Sequence, residues 1–132
     1  MATPEGWRTV RIGDAARLAV PPDAAAHQIQ PIDSIVGVYS GDGYEVVYDY
    51  GRSAEDLGLY REEPGYAAHA REVDGRPGTE ISFRGRKAPW DVIRLVQVGD
   101  GQDVLTVRVS AVDEAPGTLA DTVFDTVRFG AT

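Results

Sequence analysis

The chain has 132 residues, 13 basic and 21 acidic side chains, a formal charge of −8 and no cysteine. That size fits one domain over residues 1–132, with 1–5 expected to be disordered and a core that needs no covalent staple. The acidity argues against binding to nucleic acid phosphates or to a membrane surface through basic residues, and the missing thiols exclude Cys nucleophiles, Cys-type zinc sites and iron–sulfur clusters.

Strands dominate the expected order, because Gly and Pro punctuate the chain at short intervals. Arg8 to Ile12 alternates, placing Val10 and Ile12 inward. Leu18 and Val20 point one way from a second short strand that Pro21-Pro22 ends, and Asp23 before an Ala run reads as the cap of a short helix. Ile35 to Ser40 and Tyr44 to Tyr50 form a hairpin across Gly41-Asp42-Gly43. In its second strand Tyr44, Val46, Tyr48 and Tyr50 share one face, and Glu45, Val47 and Asp49 the other.

A polar connection follows, with one helical turn around Ala54 to Tyr60. Tyr66 to Val73 and Thr79 to Arg84 make another hairpin across Asp74 to Gly78, with Ile81 and Phe83 inward. Val92 to Val98 is apolar on both faces, as in a central strand covered on both sides. Gly99-Asp100-Gly101 turns it into Val104 to Ala111. Leu119, Val123 and Val127 recur at helical spacing beside Phe124, after the start signal Pro116-Gly117-Thr118. The fold class is therefore α+β: one domain, mainly an antiparallel sheet of about six to eight strands in hairpins, with a C-terminal helix packed on it. The echo between Val38-x-x-Gly41-Asp42-Gly43-x-x-Val46 and Val96-x-x-Gly99-Asp100-Gly101-x-x-Val104 reads as two hairpins with the same turn chemistry.

Candidate chemistry is sparse. His27 and His69 stand in unrelated contexts without the spacing of a zinc helix. The loops bearing Asp42, Asp100 and Asp103 lack the calcium-loop pattern, which leaves open whether they hold an ion. Ser40 misses the GxSxG elbow by one position, and neither GDG turn completes a phosphate-binding loop. Glu62-Glu63 and Asp113-Glu114 are adjacent pairs in connections, unsuited to general acid–base work across a cleft. Asp49, flanked by Tyr48 and Tyr50, is the acid to watch. No cofactor and no metal are expected.

Charge is distributed unevenly. Residues 33–63 carry eight acids against Arg52 and Arg61, whereas residues 71–94 carry six basic groups against four acidic ones. Arg84-Gly85-Arg86-Lys87-Ala88-Pro89-Trp90 combines cationic side chains with a large aromatic, the residue types that anchor interfaces. The expected binding surface joins Tyr48, Asp49 and Tyr50 with Arg84, Arg86, Lys87 and Trp90.

These pieces resemble a group of small bacterial extracytoplasmic, lipoprotein-like domains of unassigned function. The resemblance rests on Trp7 to Ile12, Leu18 to Pro22, Ile32-Asp33-Ser34-Ile35-Val36-Gly37-Val38-Tyr39, Asp49-Tyr50-Gly51, Val73-Asp74-Gly75 and Thr126-Val127-Arg128-Phe129. In layout the chain is also similar to the Mog1/PsbP-like fold, whose members are mostly accessory or assembly factors. The resemblance implies a non-enzymatic binding or accessory domain of an exported protein, periplasmic or secreted, and carries over no catalytic residue. The N-terminus itself has no leader, and taken literally implies a cytoplasmic protein.

Two alternatives stand beside that reading: a small hydrolase-like enzyme using Asp49 with His27 or His69, and an acidic immunity or inhibitor protein for a basic partner. The partner is a protein or small molecule, with no nucleic acid and no transmembrane segment, and the chain is a monomer or weak dimer.

Overall fold

The computed structural model describes residues 3–27, 35–52, 56–85, 90–112 and 119–130. Alternation in the sequence becomes strand wherever a neighbour exists to pair with it. β1 (Arg8–Ile12) and β2 (Ala16–Val20) form a hairpin, which β10 (Arg128–Phe129) extends to a three-stranded sheet in the order β1-β2-β10. The larger sheet has seven strands: β3 (Ala25–His27), β4 (Ile35–Gly41), β5 (Tyr44–Gly51), β6 (Ala67–Val73), β7 (Arg76–Arg84), β8 (Val92–Asp100) and β9 (Asp103–Ala111). Their spatial order is β3-β4-β5-β9-β8-β7-β6, and each pairing is antiparallel. One α-helix, α1 (Leu119–Asp125), lies among the described residues, so the fold is broadly α+β with little helix and with ten strands rather than six to eight.

The main core lies between one face of the large sheet, the small sheet and α1. Tyr44, Val46 and Tyr48 of β5, Leu105, Val107 and Val109 of β9, and Val96 and Val98 of β8 meet Val10, Ile12, Leu18, Val20, Val123 and Phe124 there. The opposite face carries a smaller cluster of Ile81, Phe83 and Leu95, covered by Leu57 and Tyr60 of a 3-10 turn (Leu57–Tyr60) and by Tyr66. Tyr60 stacks on Phe83 with centroids 4.7 Å apart. β8 thus is an interior strand with apolar residues on both faces, as its sequence implies.

Three local expectations change. The Ala run after Asp23 is not a helix but the edge strand β3, whose backbone finds partners on β4 from Ser40 to Val38; tertiary pairing overrides the helix propensity of Ala. Asp23 instead accepts a hydrogen bond from the Tyr44 hydroxyl at 2.6 Å, and that bond holds its carboxyl below the usual range.

The β6–β7 turn is also shorter than expected. Val73 pairs directly with Arg76, leaving Asp74 and Gly75 as the loop, both at positive φ (50° and 77°) as a type I′ turn requires. Pro77 is consequently inside β7, at a position where pairing with β8 has not yet begun.

The two GDG hairpins do not share one turn. Gly41 pairs with Tyr44, so Asp42-Gly43 is the first loop, whereas Asp100 pairs with Asp103, so Gly101-Gln102 is the second. The glycine at positive φ is the second loop residue in one case and the first in the other.

The end of the chain is tied down by Thr126. Its hydroxyl donates to the Val123 carbonyl at 2.6 Å and accepts the Ala19 amide at 2.9 Å, joining α1 to β2. At the other terminus, Pro4 accepts a backbone bond from Trp7 at 3.1 Å in the segment expected to be disordered.

Candidate functional site

The sheet register separates the residues expected to form one surface. Tyr48 belongs to the core: it is buried, stacks near Tyr39 with centroids 6.4 Å apart, and points its hydroxyl at the Arg11 carbonyl at 3.4 Å. Burial and the neighbouring Tyr39 raise its pKa. Asp49 points to the opposite face, where with Val47, Leu95, Thr106 and Arg108 it lines a depression of about 110 Å³.

Tyr50 returns to the core side and donates to Asp100 Oδ2 at 2.7 Å. Asp100 also receives Arg76 at 2.5 Å, and Arg76 lies over the Phe129 ring, 4.1 Å from its centroid. Arg76 and then Tyr50 hold the Asp100 carboxyl low, while burial and Asp100 push the Tyr50 phenol up to about 12. The Phe129 amide donates to Asp74 Oδ2 at 2.9 Å. This end of the sheet is a closed polar latch.

Arg84 and Trp90 stand at the other end. The Tyr44, Ala111, Val92 and Arg84 positions lie in one row across β5, β9, β8 and β7, and Tyr48 lies four residues along from that row. Arg84 is therefore about 13 Å along and about 14 Å across the sheet from Tyr48, by ordinary strand spacings. The structure does bring Arg84 and Trp90 near each other: the Gly85 amide bonds the Asp91 carbonyl at 3.2 Å, and Gly85 packs on the Trp90 backbone. Arg86 and Lys87 lie outside the described residues.

Neither histidine meets Asp49. His27 shares the face of Asp49 but lies two strands away and opposite Val38, with its Nε2 2.5 Å from Ser40 Oγ. His69 lies on the opposite face, four strand spacings away in the sheet order. The His–Asp49 pair that a hydrolase would need is not assembled.

The residue that sequence patterning missed is Glu80. It sits in the middle of β7, on the same face as Ser82 and Arg84, and is 0% exposed. Arg71 donates to its Oε1 at 3.0 Å, Arg94 Nε donates to its Oε2 at 2.7 Å, and His69 Nε2 is 3.4 Å from Oε1. The same two arginines reach Asp121 of α1 at 2.8 and 2.6 Å, and Arg71 also reaches Asp125 at 3.1 Å. Both guanidinium groups lie over Phe124, 5.2 and 5.8 Å from the ring centroid. Burial works against the charge on both arginines, but hydrogen bonds to Asp121 and Glu80 more than offset it, and their pKa values rise.

One signal in the sequence pointed here. Arg94 interrupts the apolar run Val92 to Val96, and a buried charge needs a partner of opposite sign.

Beside this network the sheet face opens into a groove of about 410 Å³, lined by Gly65, His69, Glu80, Ser82, Arg84 and Arg94 among others. Glu80 is spent on its arginines, so the groove's available charge is Arg84. Its stem lies across Gly65, where a Cβ would stand 3.3 Å from Arg84 Cγ. Gly65 also has a φ of +71°, so glycine is required there for two reasons. The Arg84 amide bonds the Pro64 carbonyl at 2.8 Å. Among the described residues its guanidinium has no hydrogen-bond or ion-pair partner.

No family model matches this chain, and no curated protein does. The solution structure of cyanobacterial PsbP (CyanoP) from Synechocystis sp. PCC 6803 matches it with a TM-score of 0.65 at 11% identity, covering 94% of this chain and 92% of that one. The fold is PsbP-like.

Within this PsbP-like fold the acidic stretch is divided rather than gathered into one face. Asp42 is in the β4–β5 turn, Glu45 faces Arg108 at 3.8 Å, and Asp56 caps the 3-10 turn by accepting the Gly58 amide. Asp100 is held by Arg76 and Tyr50, and among the described residues no three His, Cys, Asp or Glu side chains cluster as a metal site. Nor is any described helix of the PsbP-like domain long and apolar enough to cross a membrane.

Proposed function

We propose that this PsbP-like chain is a non-enzymatic binding domain, an accessory module of an exported bacterial protein, that holds an anionic group of its partner at the Arg84 groove. The observation that carries this reading is Arg84 itself, a cation with no side-chain partner among the described residues, positioned across Gly65 and lining a preformed groove. Every other charge lining that cavity is half of a close pair: Glu80 with Arg71 and Arg94, and His69 with Glu80. A planar guanidinium with free donors is the side chain best suited to a carboxylate. The PsbP-like fold supports an accessory role, and the resemblance to extracytoplasmic domains supports export. Both supports are fold-level analogies, so the groove chemistry bears the weight.

Titration of the ¹⁵N-labelled domain with tetraglutamate, and separately with tetralysine, tests the reading. Tetraglutamate is expected to shift the amides of Ser82, Arg84 and Trp90, tetralysine to leave them in place, and Arg84→Gln to weaken the response severalfold. Shifts centred on Asp49, or an Arg84→Gln protein that responds like wild type, would overturn it.

A further inference from the structure

We propose that the free edge of β6 accepts an extended strand from a partner protein, and that Arg84 receives a carboxylate carried by that strand. The inference rests on the groove reading above and names the form of the partner.

The large sheet ends at β3 and β6. β3 is only three residues long and follows Pro21-Pro22 closely, so it offers little to pair with. β6 is seven residues long, and Ala67, Ala68, His69 and Ala70 are all exposed, which leaves both faces of the strand uncovered there. Edges are ordinarily blunted by Lys, Pro or a bulge. β6 has no Lys and no Pro, and its register with β7 runs unbroken from Ala67↔Ser82 to Val73↔Arg76.

The turn fixes which backbone groups are free. A two-residue loop is closed by a hydrogen-bonded pair, here Val73 with Arg76, and hydrogen-bonded pairs alternate along an antiparallel ladder. Ala67, His69, Arg71 and Val73 therefore bond inward to β7. The N–H and C=O groups of Ala68, Ala70 and Glu72 point out of the sheet, unpaired with any strand among the described residues, and two of these residues carry only a methyl group.

Charge selects the occupant. Gly65 is the residue between Arg84 and the outer edge, and it has no side chain to block the guanidinium. An incoming antiparallel strand places its C-terminal end beside Gly65, within reach of Arg84, and a Glu there would complete the pair. A second copy of this chain fits less well. Antiparallel pairing about Ala70 sets His69 against Arg71 of the second copy and joins two chains of charge −8.

The probe is an acetylated, amidated octapeptide of alternating Thr and Val ending in Glu, with the same peptide ending in Gln as control. Titrated into ¹⁵N-labelled protein, it is expected to shift and slow the exchange of the Ala68, Ala70 and Glu72 amides. The Glu peptide should bind about tenfold more tightly than the Gln peptide, the scale of one charge-assisted hydrogen bond. Arg84→Gln should abolish that preference, bringing the two peptides to similar affinity. Ala70→Pro removes an outward N–H and should abolish binding of both peptides; the wild-type exchange data stand as evidence whether or not that variant folds.

Shifts confined to Ser82 and Arg84, without the β6 amides, would overturn the strand proposal and leave the groove reading intact. Absence of any shift at millimolar peptide, with tetraglutamate also silent, would overturn both. Concentration-dependent dimers whose β6 amides are protected without peptide would assign the edge to a second copy and overturn the partner-strand proposal.

Discussion

Arg76 and Arg84 begin and end the same strand, yet they live in opposite circumstances. Arg76 is bound to Asp100 at 2.5 Å, stacked over Phe129, and linked through Asp100 to Tyr50. Arg84 lies over a glycine with no ion pair among the described residues. Identical chemistry at the two ends of β7 thus serves two purposes. One end closes the sheet onto the C-terminal strand, and the other leaves a cation facing solvent beside an unpaired edge. Between them, Glu80 ties three strands and the helix together through Arg71 and Arg94. A charge held in a close pair adds to the fold, and a charge without one keeps its donors for something else.

The sharpest way to break this contrast lies in its middle. Glu80→Ala leaves Arg71 and Arg94 buried without their shared carboxylate, and should cost about 3–5 kcal/mol in chemical denaturation, as loss of one partner of a buried pair does. A loss below about 1 kcal/mol would mean that water reaches the network freely. Next in size, Thr126→Val deletes both bonds that join α1 to β2 and should cost about 1–3 kcal/mol, because the buried Ala19 amide loses its acceptor.

The latch end should respond to pH. The Asp100 carboxyl is held below 3.8 in the fold, so its stabilisation is complete above that value and lost as pH falls through the lower, folded value. The Tyr50 phenol is raised from 10.0 to about 12, so its contribution is intact below pH 10 and lost as pH rises toward 12. Asp100→Asn should flatten the acid limb of a stability–pH curve, and Tyr50→Phe the alkaline limb. Arg76→Gln, at a partly exposed pair, should cost roughly 0.5–1 kcal/mol. The smallest effect is expected at the open end, where Arg84→Gln should change stability by no more than about 0.5 kcal/mol, as for surface substitutions that break no contact.

Much of the scaffold was legible from alternation and turn residues. Val10 and Ile12, Tyr44 to Tyr50, and Leu105 to Val109 announce which face is buried, and Asp42-Gly43 and Asp74-Gly75 announce where strands reverse. β3 was hidden because Ala25 and Ala26 carry no face preference; only pairing of Ala25 to His27 with Ser40 to Val38 makes the segment a strand. The site was legible by half. Arg84 and Trp90 stand out in sequence because a cation and a large aromatic share one loop. Tyr48 stood out equally, but an aromatic in an alternating strand is as well suited to a core as to an interface, and the register assigns it to the core. Arg94 in an apolar strand hints at a buried charge, but Glu80 as its partner was hidden, because Arg71 of β6 and Arg94 of β8 reach it only through the sheet register.

The contrast between the two arginines is tested most directly by measuring the affinity of the Glu-terminated octapeptide for Arg84→Gln and Arg76→Gln side by side. Arg84→Gln is predicted to bind it about tenfold more weakly than wild type, as loss of one charge-assisted pair implies, and Arg76→Gln to bind it like wild type. Equal weakening in both variants, or weakening in Arg76→Gln alone, would contradict the assignment of recognition to the open end of the sheet.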